Sequence, residues 1–257
     1  MIVLNKIFIY PIKALAGVEV GQVKITSGGT LMNDRRWAML DDSGRLINGK
    51  NNKAVFALKP IFDLVNEQVG FSNEKGEIER FSLTHTAKLE AYLSEQLGKP
   101  IVLREDDHQG FPDDLSAYGP TLIATDSLKE VARWFPELSF DEIRARFRIN
   151  LEVSPAPAFW EDQVFRSNMP IRDIQLAEVL IKPTNPCARC SVPMKAPGTG
   201  DSYHQFYETF IRQRELTKPA WTDAECFDHW YRLSINTKID FSESGKKIQV
   251  GDSVKLI

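Results

Sequence analysis

The alternation of Leu233, Ile235, Thr237 and Ile239, with turns at Gly245 and Gly251-Asp252 beyond it, constrains this chain more than any other feature. Side chains on a strand point alternately to opposite faces, so an alternating apolar segment needs a partner surface along one whole face. Ile2 to Tyr10 is rich in Val, Ile, Phe and Tyr and stops at Pro11, which predicts a strand feeding a turn. Val18, Val20, Val23 and Ile25 continue up to Gly28-Gly29, and Trp37 to Leu40 ends at Asp41-Asp42-Ser43-Gly44, a strong turn signal. Strands at both ends with helices between them predict a β-rich α+β chain whose last strands close a small barrel.

Leu89, Tyr92, Leu93 and Leu97, followed by Gly98, predict a helix over residues 86–97. Ser127-Leu128-Lys129-Glu130 is a capping-box pattern, and Leu128, Val131, Ala132 and Phe135 form a stripe ending at Pro136, with Trp134 as partial cover. Tyr203, Phe206, Tyr207, Phe210 and Ile211 repeat the spacing on a second packing helix. Between these, Glu105 to Gly119 holds Asp-Asp pairs, His108, Gly110 and Pro112 without periodicity, which predicts a mobile connection. It divides the chain into residues 1–104 and 105–257. With 257 residues, 42% of them hydrophobic, two modest cores fit the length better than one large one.

A net charge of −3 argues against nucleic acid or an anionic membrane as partner. Met1 to Lys6 has no basic segment ahead of its short apolar run, and no apolar span of about 18 residues follows. Neither secretion nor membrane insertion is expected. Three cysteines, an odd number, argue for reduced thiols and a cytoplasmic location. No G-x-S-x-G, Walker loop or G-x-G-x-x-G occurs, so serine hydrolase and nucleotide-binding chemistry lack support.

The strongest chemical motif is Pro186-Cys187-Ala188-Arg189-Cys190. Two thiols three positions apart with a guanidinium between them suit a thiolate ligand for a soft metal. Three other uses compete on the motif alone. Cys187, Cys190, Cys226 and His229 form a potential Cys3His zinc set, although 35 residues separate its two halves where about 15 to 20 are usual. A redox pair would need a helix start, yet Pro193 and Pro197 follow at once. The pair also suits two small buried side chains. His229, among aromatic neighbours, is expected as a hydrogen-bonded core or rim residue. Asp34 beside Arg35, and Glu161 with Asp162, are expected to point to opposite faces and orient pocket arginines rather than act as paired carboxylates.

Several segments taken in order, Tyr10-Pro11-Ile12-Lys13, Asn33-Asp34-Arg35-Arg36-Trp37, Arg146-Phe147-Arg148-Ile149-Asn150, Phe159-Trp160-Glu161-Asp162, the cysteine motif and Ile248 to Val254, resemble the MOSC (molybdenum cofactor sulfurase C-terminal) family. The arrangement is similar to the mitochondrial amidoxime reducing component and its bacterial relatives. The resemblance implies a MOSC N-terminal β-barrel domain over residues 1–104 and a MOSC β-barrel domain with flanking helices over 105–257. It also implies a molybdenum cofactor (Mo-molybdopterin), with Cys190 as metal ligand and catalytic residue and Cys187 as a structural or supporting thiol. Lys13, Arg35, Arg148 and Asn150 would line the cofactor pocket, with backbone N–H groups of Tyr118 and Gly119 replacing contacts of an acidic loop in relatives. Arg189 would keep Cys190 ionised or face a cofactor oxygen. With Arg36, Lys50, Arg146 and Lys195 also near these segments, a basic pocket for a small phosphorylated cofactor is expected.

The implied activity is reduction of N-hydroxylated small molecules, such as an amidoxime or hydroxylaminopurine. Three cysteines cannot supply an iron–sulfur quartet as well, so a separate ferredoxin-type or flavin reductase donor is expected. The alternative is a sulfur-carrier or cofactor-delivery protein with a persulfide on Cys187 or Cys190. Ala14 stands where many relatives have Ser, and Lys195-Ala196 where they have Arg-Asp; these departures touch substrate preference more than cofactor binding.

Overall fold

Strand β1 (Ile2–Ile9) buries Leu4, Ile7 and Ile9, and the main sheet closes on it. The computed structural model describes residues 1–73 and 75–257. Its further elements are β2 (Val18–Val20), β3 (Gln22–Lys24), β4 (Trp37–Leu40), β5 (Pro60–Asp63), β6 (Gln68–Ser72), β7 (Ile78–Ser82), α1 (Ala87–Leu97) and β8 (Val102–Glu105). Then follow β9 (Leu122–Ala124), α2 (Thr125–Trp134), α3 (Phe140–Phe147), β10 (Leu151–Ser154), β11 (Ile174–Leu176), β12 (Val179–Ala188), α4 (Phe206–Leu216), β13 (Arg232–Ile239), β14 (Lys247–Gln249) and β15 (Ser253–Leu256).

β1 pairs antiparallel with β10 and, at its start, with β15. From β10 the ladder runs through β9, β13, β12, β11 and β15 back to β1, closing a seven-stranded barrel, with β2 as a further strand on the second half of β1. A register shift between Leu4 and Lys6 marks a bulge, which bends the strand locally. β9 and β10 are parallel, a pairing that requires a long crossover, and α2 with α3 supplies it. Leu4, Ile7, Leu122, Leu151, Ile181 and Ile235 pack in the barrel core. Each such side chain stabilises the fold by about 1.5–3 kcal/mol relative to exposure.

A second core, with Ile12, Trp37, Met39, Phe71, Phe81 and Leu93, lies among β4 to β8 and α1. A third, in which the rings of Phe135 and Phe206 stack at 4.4 Å, packs the other three helices on the barrel flank. Residues 2–9 and 18–31 pack with the barrel, where β3 also pairs with β14, while Ile12 and Leu15 between them belong to the second core. The position 104/105 falls at the end of β8, and the barrel draws strands from both sides of it. The chain crosses between the two cores at Tyr10–Lys13, at Asn33–Arg36 and along residues 106–119. No helix among the described residues is long and apolar enough to cross a membrane.

Local signals explain most elements. α1 buries Leu89, Leu93 and Leu97 and ends at left-handed Gly98, as its spacing predicts. α2 differs from its expected start, because it begins at Thr125 and Ser127 already lies inside it. Its N-terminus is capped from a distance instead. Glu161 accepts from the Ala124 N–H at 3.1 Å and from the Ser127 hydroxyl at 3.0 Å, which leaves Ser127 no capping role. The same motif succeeds one helix later, where the Ser139 hydroxyl accepts from the Glu142 N–H and starts α3, a helix not anticipated from the sequence. α4 starts only at Phe206, with Tyr203 before it. Residues 106–119 are irregular, as expected, but they are pinned rather than loose: Phe111 N–H donates to Arg35 O, and Lys13 donates to the carbonyls of Phe111 and Pro112.

Glu161 is buried within the single-turn helix Trp160–Val164. Burial, reinforced by the neighbouring Asp162 charge, pushes its carboxyl up to about 8 from an ordinary 4.5. The folded protein thus holds a proton that the unfolded chain releases. Stability from this group is complete below about pH 4.5 and is lost as pH rises to about 8, at roughly 1 kcal/mol per pH unit. Urea denaturation of Glu161→Gln should show this decline abolished, and a variant that tracks the unmodified protein across the window would refute the assignment.

Candidate functional site

All three crossings between the cores meet at Asp34. Its carboxylate is 3% exposed, and Oδ1 accepts from Tyr10 N–H at 2.8 Å and from Asn150 Nδ2 at 3.1 Å. Oδ2 accepts from Arg35 Nε at 2.8 Å. Asn150 is itself fully engaged, because Nδ2 also donates to Phe8 O, while Oδ1 accepts from the Thr121 N–H and hydroxyl. With both amide edges taken, Asn150 positions Asp34, and through it Arg35, and presents no free edge to a ligand. Arg35 follows in a left-handed conformation at φ 52°. Its carbonyl accepts from Phe111 N–H beside Gly110, where an added Cβ would lie 2.8 Å from that same carbonyl.

Around this hub lie the cations. Lys13, 7% exposed, forms an ion pair with Asp113 Oδ1 at 2.9 Å. Arg148 ends α3 in a left-handed conformation at φ 54° and places its guanidinium 4.3 Å from the centre of the Tyr10 ring. It forms no ion pair among the described residues. Burial lowers the Arg148 pKa, opposed by Tyr10, Asp113 and Asp34. Burial likewise pushes the Tyr10 phenol up, and its hydroxyl donates to Ile149 O at 3.2 Å. Two non-glycine left-handed residues, each strained on the order of 1 kcal/mol, are thus the two arginines of the cluster.

Tyr118 gives its carbonyl to Arg35 at 3.5 Å and stacks on Phe241, and the Gly119 N–H donates to Thr237 O at 2.9 Å. That N–H is accordingly spent on the barrel. Arg36 belongs to a network with Glu67, Glu105 and Asn33, Arg146 pairs with Glu142, and Lys195 donates to Gly49 O at 2.6 Å. Lys50 is exposed but close enough for its charge to act on Asp113.

The cysteine motif ends β12. Register shifts between Pro183 and Asn185 and between Pro186 and Ala188 mark two bulges against β13, and the second leaves Cys187 against Leu233 and left-handed Ser234, whose buried hydroxyl is unpartnered among the described residues. Cys187 is buried and Cys190 is exposed. Arg189 differs from its expected partner: one guanidinium nitrogen lies 3.1 Å from Cys187 Sγ, another donates to Phe147 O, and the buried Nε has no partner. Among the described residues Cys190 Sγ receives only the Val192 N–H, at 3.5 Å.

These contacts join the candidate residues in one path. Arg189 reaches Phe147, next to it Arg148 covers Tyr10, and Tyr10 leads to Asp34 and Arg35 on one side and along the chain to Lys13 on the other. Cys190 lies at the exposed end. The rival zinc set does not assemble, since the described residues contain no group of three or more His, Cys, Asp and Glu side chains able to hold a metal. Cys226 packs on the barrel core and burial pushes its thiol up, while His229 is a rim residue whose Nδ1 accepts from Tyr231 N–H. Glu161 and Asp162 also depart from expectation. Glu161 caps α2, Asp162 pairs with buried Arg214 at 2.5 Å, and neither serves a pocket arginine among the described residues. A cavity of about 540 Å³ opens beside Asn33, Asp34 and Asp106, but neither cysteine lines it.

Residues 1–138 match the MOSC N-terminal beta barrel domain family, and the chain belongs to that family. MOSC domains are generally linked to molybdenum cofactor binding. Among solved structures the chain is similar to the YUAD protein from Bacillus subtilis, with 11% identity and a TM-score of 0.40 over 99% of this chain and 94% of that one. No curated protein matches the chain.

Asp34 and Arg148 should respond differently to removal. Asp34→Ala strands three donors, one of them the half-buried Arg35 cation, and should cost about 3–5 kcal/mol in urea denaturation. Arg148→Gly loses a ring contact but relieves left-handed strain, so stability should stay within about 1 kcal/mol. Comparable losses in both variants would show that Arg148 is part of the scaffold rather than held available for a ligand.

Proposed function

We propose that this chain binds a molybdenum–pterin cofactor between the barrel and the second core and reduces N-hydroxylated small molecules. The observation that carries this is Arg148, a strained, half-buried cation paired with no carboxylate among the described residues, whose chain neighbour Phe147 accepts from Arg189, the residue before the free, exposed Cys190. A fold holds such a cation at a cost unless something anionic joins it.

The donor set suits that cofactor. Arg35 and Arg148 offer planar forks to phosphate and pterin oxygens, and Lys13 a point charge. Asp34 and Asn150 hold Arg35 in place, and Arg189 occupies Cys187, leaving Cys190 as the uncommitted soft ligand for the metal. When bound, the cofactor supplies a two-electron redox centre. Reduction of R–NHOH takes two electrons and two protons: the N–O bond breaks, R–NH2 forms, and the oxygen leaves as water. Solvent supplies protons at the exposed Cys190 rim. The electrons come from a separate ferredoxin-type or flavin reductase, since three cysteines do not hold an iron–sulfur cluster alongside this site.

One observation favours a second function. Cys190 is exposed on the surface, which suits a persulfide carrier or cofactor-delivery protein that must meet a partner. The cysteine variants separate the two.

Natively purified protein should carry molybdenum and pterin near one per chain. Cys190→Ser should abolish reduction of an amidoxime, because a hydroxyl is a poor substitute for thiolate on this metal, with Cys187→Ser milder and Cys226→Ala without effect. Stoichiometric zinc lost on Cys226→Ala, with no molybdenum, would sink the proposal. Equal and complete losses in Cys187→Ser and Cys190→Ser with cofactor retained would favour the sulfur carrier.

A further inference from the structure

The Lys13 ammonium has three hydrogens, and one short segment takes them all: Phe111 O at 2.9 Å, Pro112 O at 3.2 Å and Asp113 Oδ1 at 2.9 Å. Lys13 is nearly buried, whereas the Asp113 side chain is 83% exposed. The carboxylate therefore reaches the cation from the solvent side. Desolvation by the surrounding protein pushes the Asp113 carboxyl up, but Lys13, Arg35 and Lys50 outweigh it and hold it below the usual carboxylate range. Arg148 feels the same charge. Four cations, Lys13, Arg35, Lys50 and Arg148, thus face two carboxylates, Asp34 and Asp113, leaving a surplus of two positive charges. Asp34 is locked in by three donors. Among the described residues the Asp113 carboxylate is held only through Lys13, and an ion pair with one exposed partner is weak.

We propose that Asp113 is a surrogate anion. Its carboxylate occupies the place on Lys13 that a phosphate dianion takes, and phosphate binding releases the 112–116 segment from the site. With Asp113 gone the surplus rises to three, which a dianion lowers to one, and the phosphate oxygens give Lys13 back the acceptors it loses on Pro112 and Asp113. Leu115 and Ser116 are exposed, so the released segment gives up little packing. Asp113 thereby screens the cations until phosphate binds and makes phosphate recognition a competition. This rests on the assignment of Lys13, Arg35 and Arg148 as an anion site.

Calorimetric titration of cofactor-free protein with inorganic phosphate tests it. Asp113→Asn should bind phosphate about two- to fivefold more tightly than the unmodified protein, Arg148→Ala should weaken binding with either residue at 113, and phosphate should speed hydrogen exchange over residues 112–116. Asp113→Asn that binds equally or less tightly, while Arg148→Ala still weakens binding, would overturn the surrogate role and leave the anion site standing. Phosphate that binds neither form, or binds regardless of Arg148, would overturn both. Cofactor-loaded protein that excludes inorganic phosphate would identify the cofactor's own phosphate as the ligand, and loaded protein that still displaces Asp113 on adding it would identify free phosphate.

Discussion

A single buried carboxylate ties the segments that cross to the second core onto the barrel. Asp34 takes the backbone of β1's end through Tyr10, the start of β10 through Asn150, and its own neighbour Arg35. Bonds to a charged acceptor are worth about 1.5–3 kcal/mol each, against about 1 for neutral ones. Such a carboxylate is stable in the interior only while its donors stay in place. The barrel, the second core and the basic cluster consequently share one set of contacts, and displacement of any crossing segment is felt by the other two.

That arrangement explains why the basic residues gather where they do. The chain leaves β1 at Tyr10 and carries Lys13 across; it returns with Arg35 next to Asp34, and α3 ends in Arg148 over Tyr10. Left-handed backbone at both arginines is unfavourable and persists because Asp34, Phe111 and the end of α3 over-determine it. At the far end Arg189 ties the cysteine segment to the same helix terminus through Phe147. A ligand bridging the cations and Cys190 would then touch both cores.

Much of the fold was legible because its periodicities are local. The alternation at Leu233 to Ile239 became β13 in the barrel, and the spacing ahead of Gly98 became α1. The limits were equally physical. Ser127-x-x-Glu130 and Ser139-x-x-Glu142 are the same local pattern, yet only Ser139 caps a helix, because Glu161 approaches Ser127 from a residue 34 positions away. In the site, the order of motifs marked Lys13, Arg35, Arg148 and Cys190, but not what each one bonds. That Asn150 is consumed by Asp34 and Thr121, that Arg189 sits on Cys187, and that an aspartate from an irregular segment covers Lys13 are all long-range outcomes. No spacing encodes them.

The central claim is that Cys190, rather than its buried neighbour, faces the metal. X-ray absorption at the molybdenum edge of protein purified with its cofactor tests this most directly. The sulfur neighbours of the metal should fall by one in Cys190→Ser and stay unchanged in Cys187→Ser. A sulfur count untouched by Cys190→Ser, or lowered by Cys187→Ser instead, would contradict the assignment.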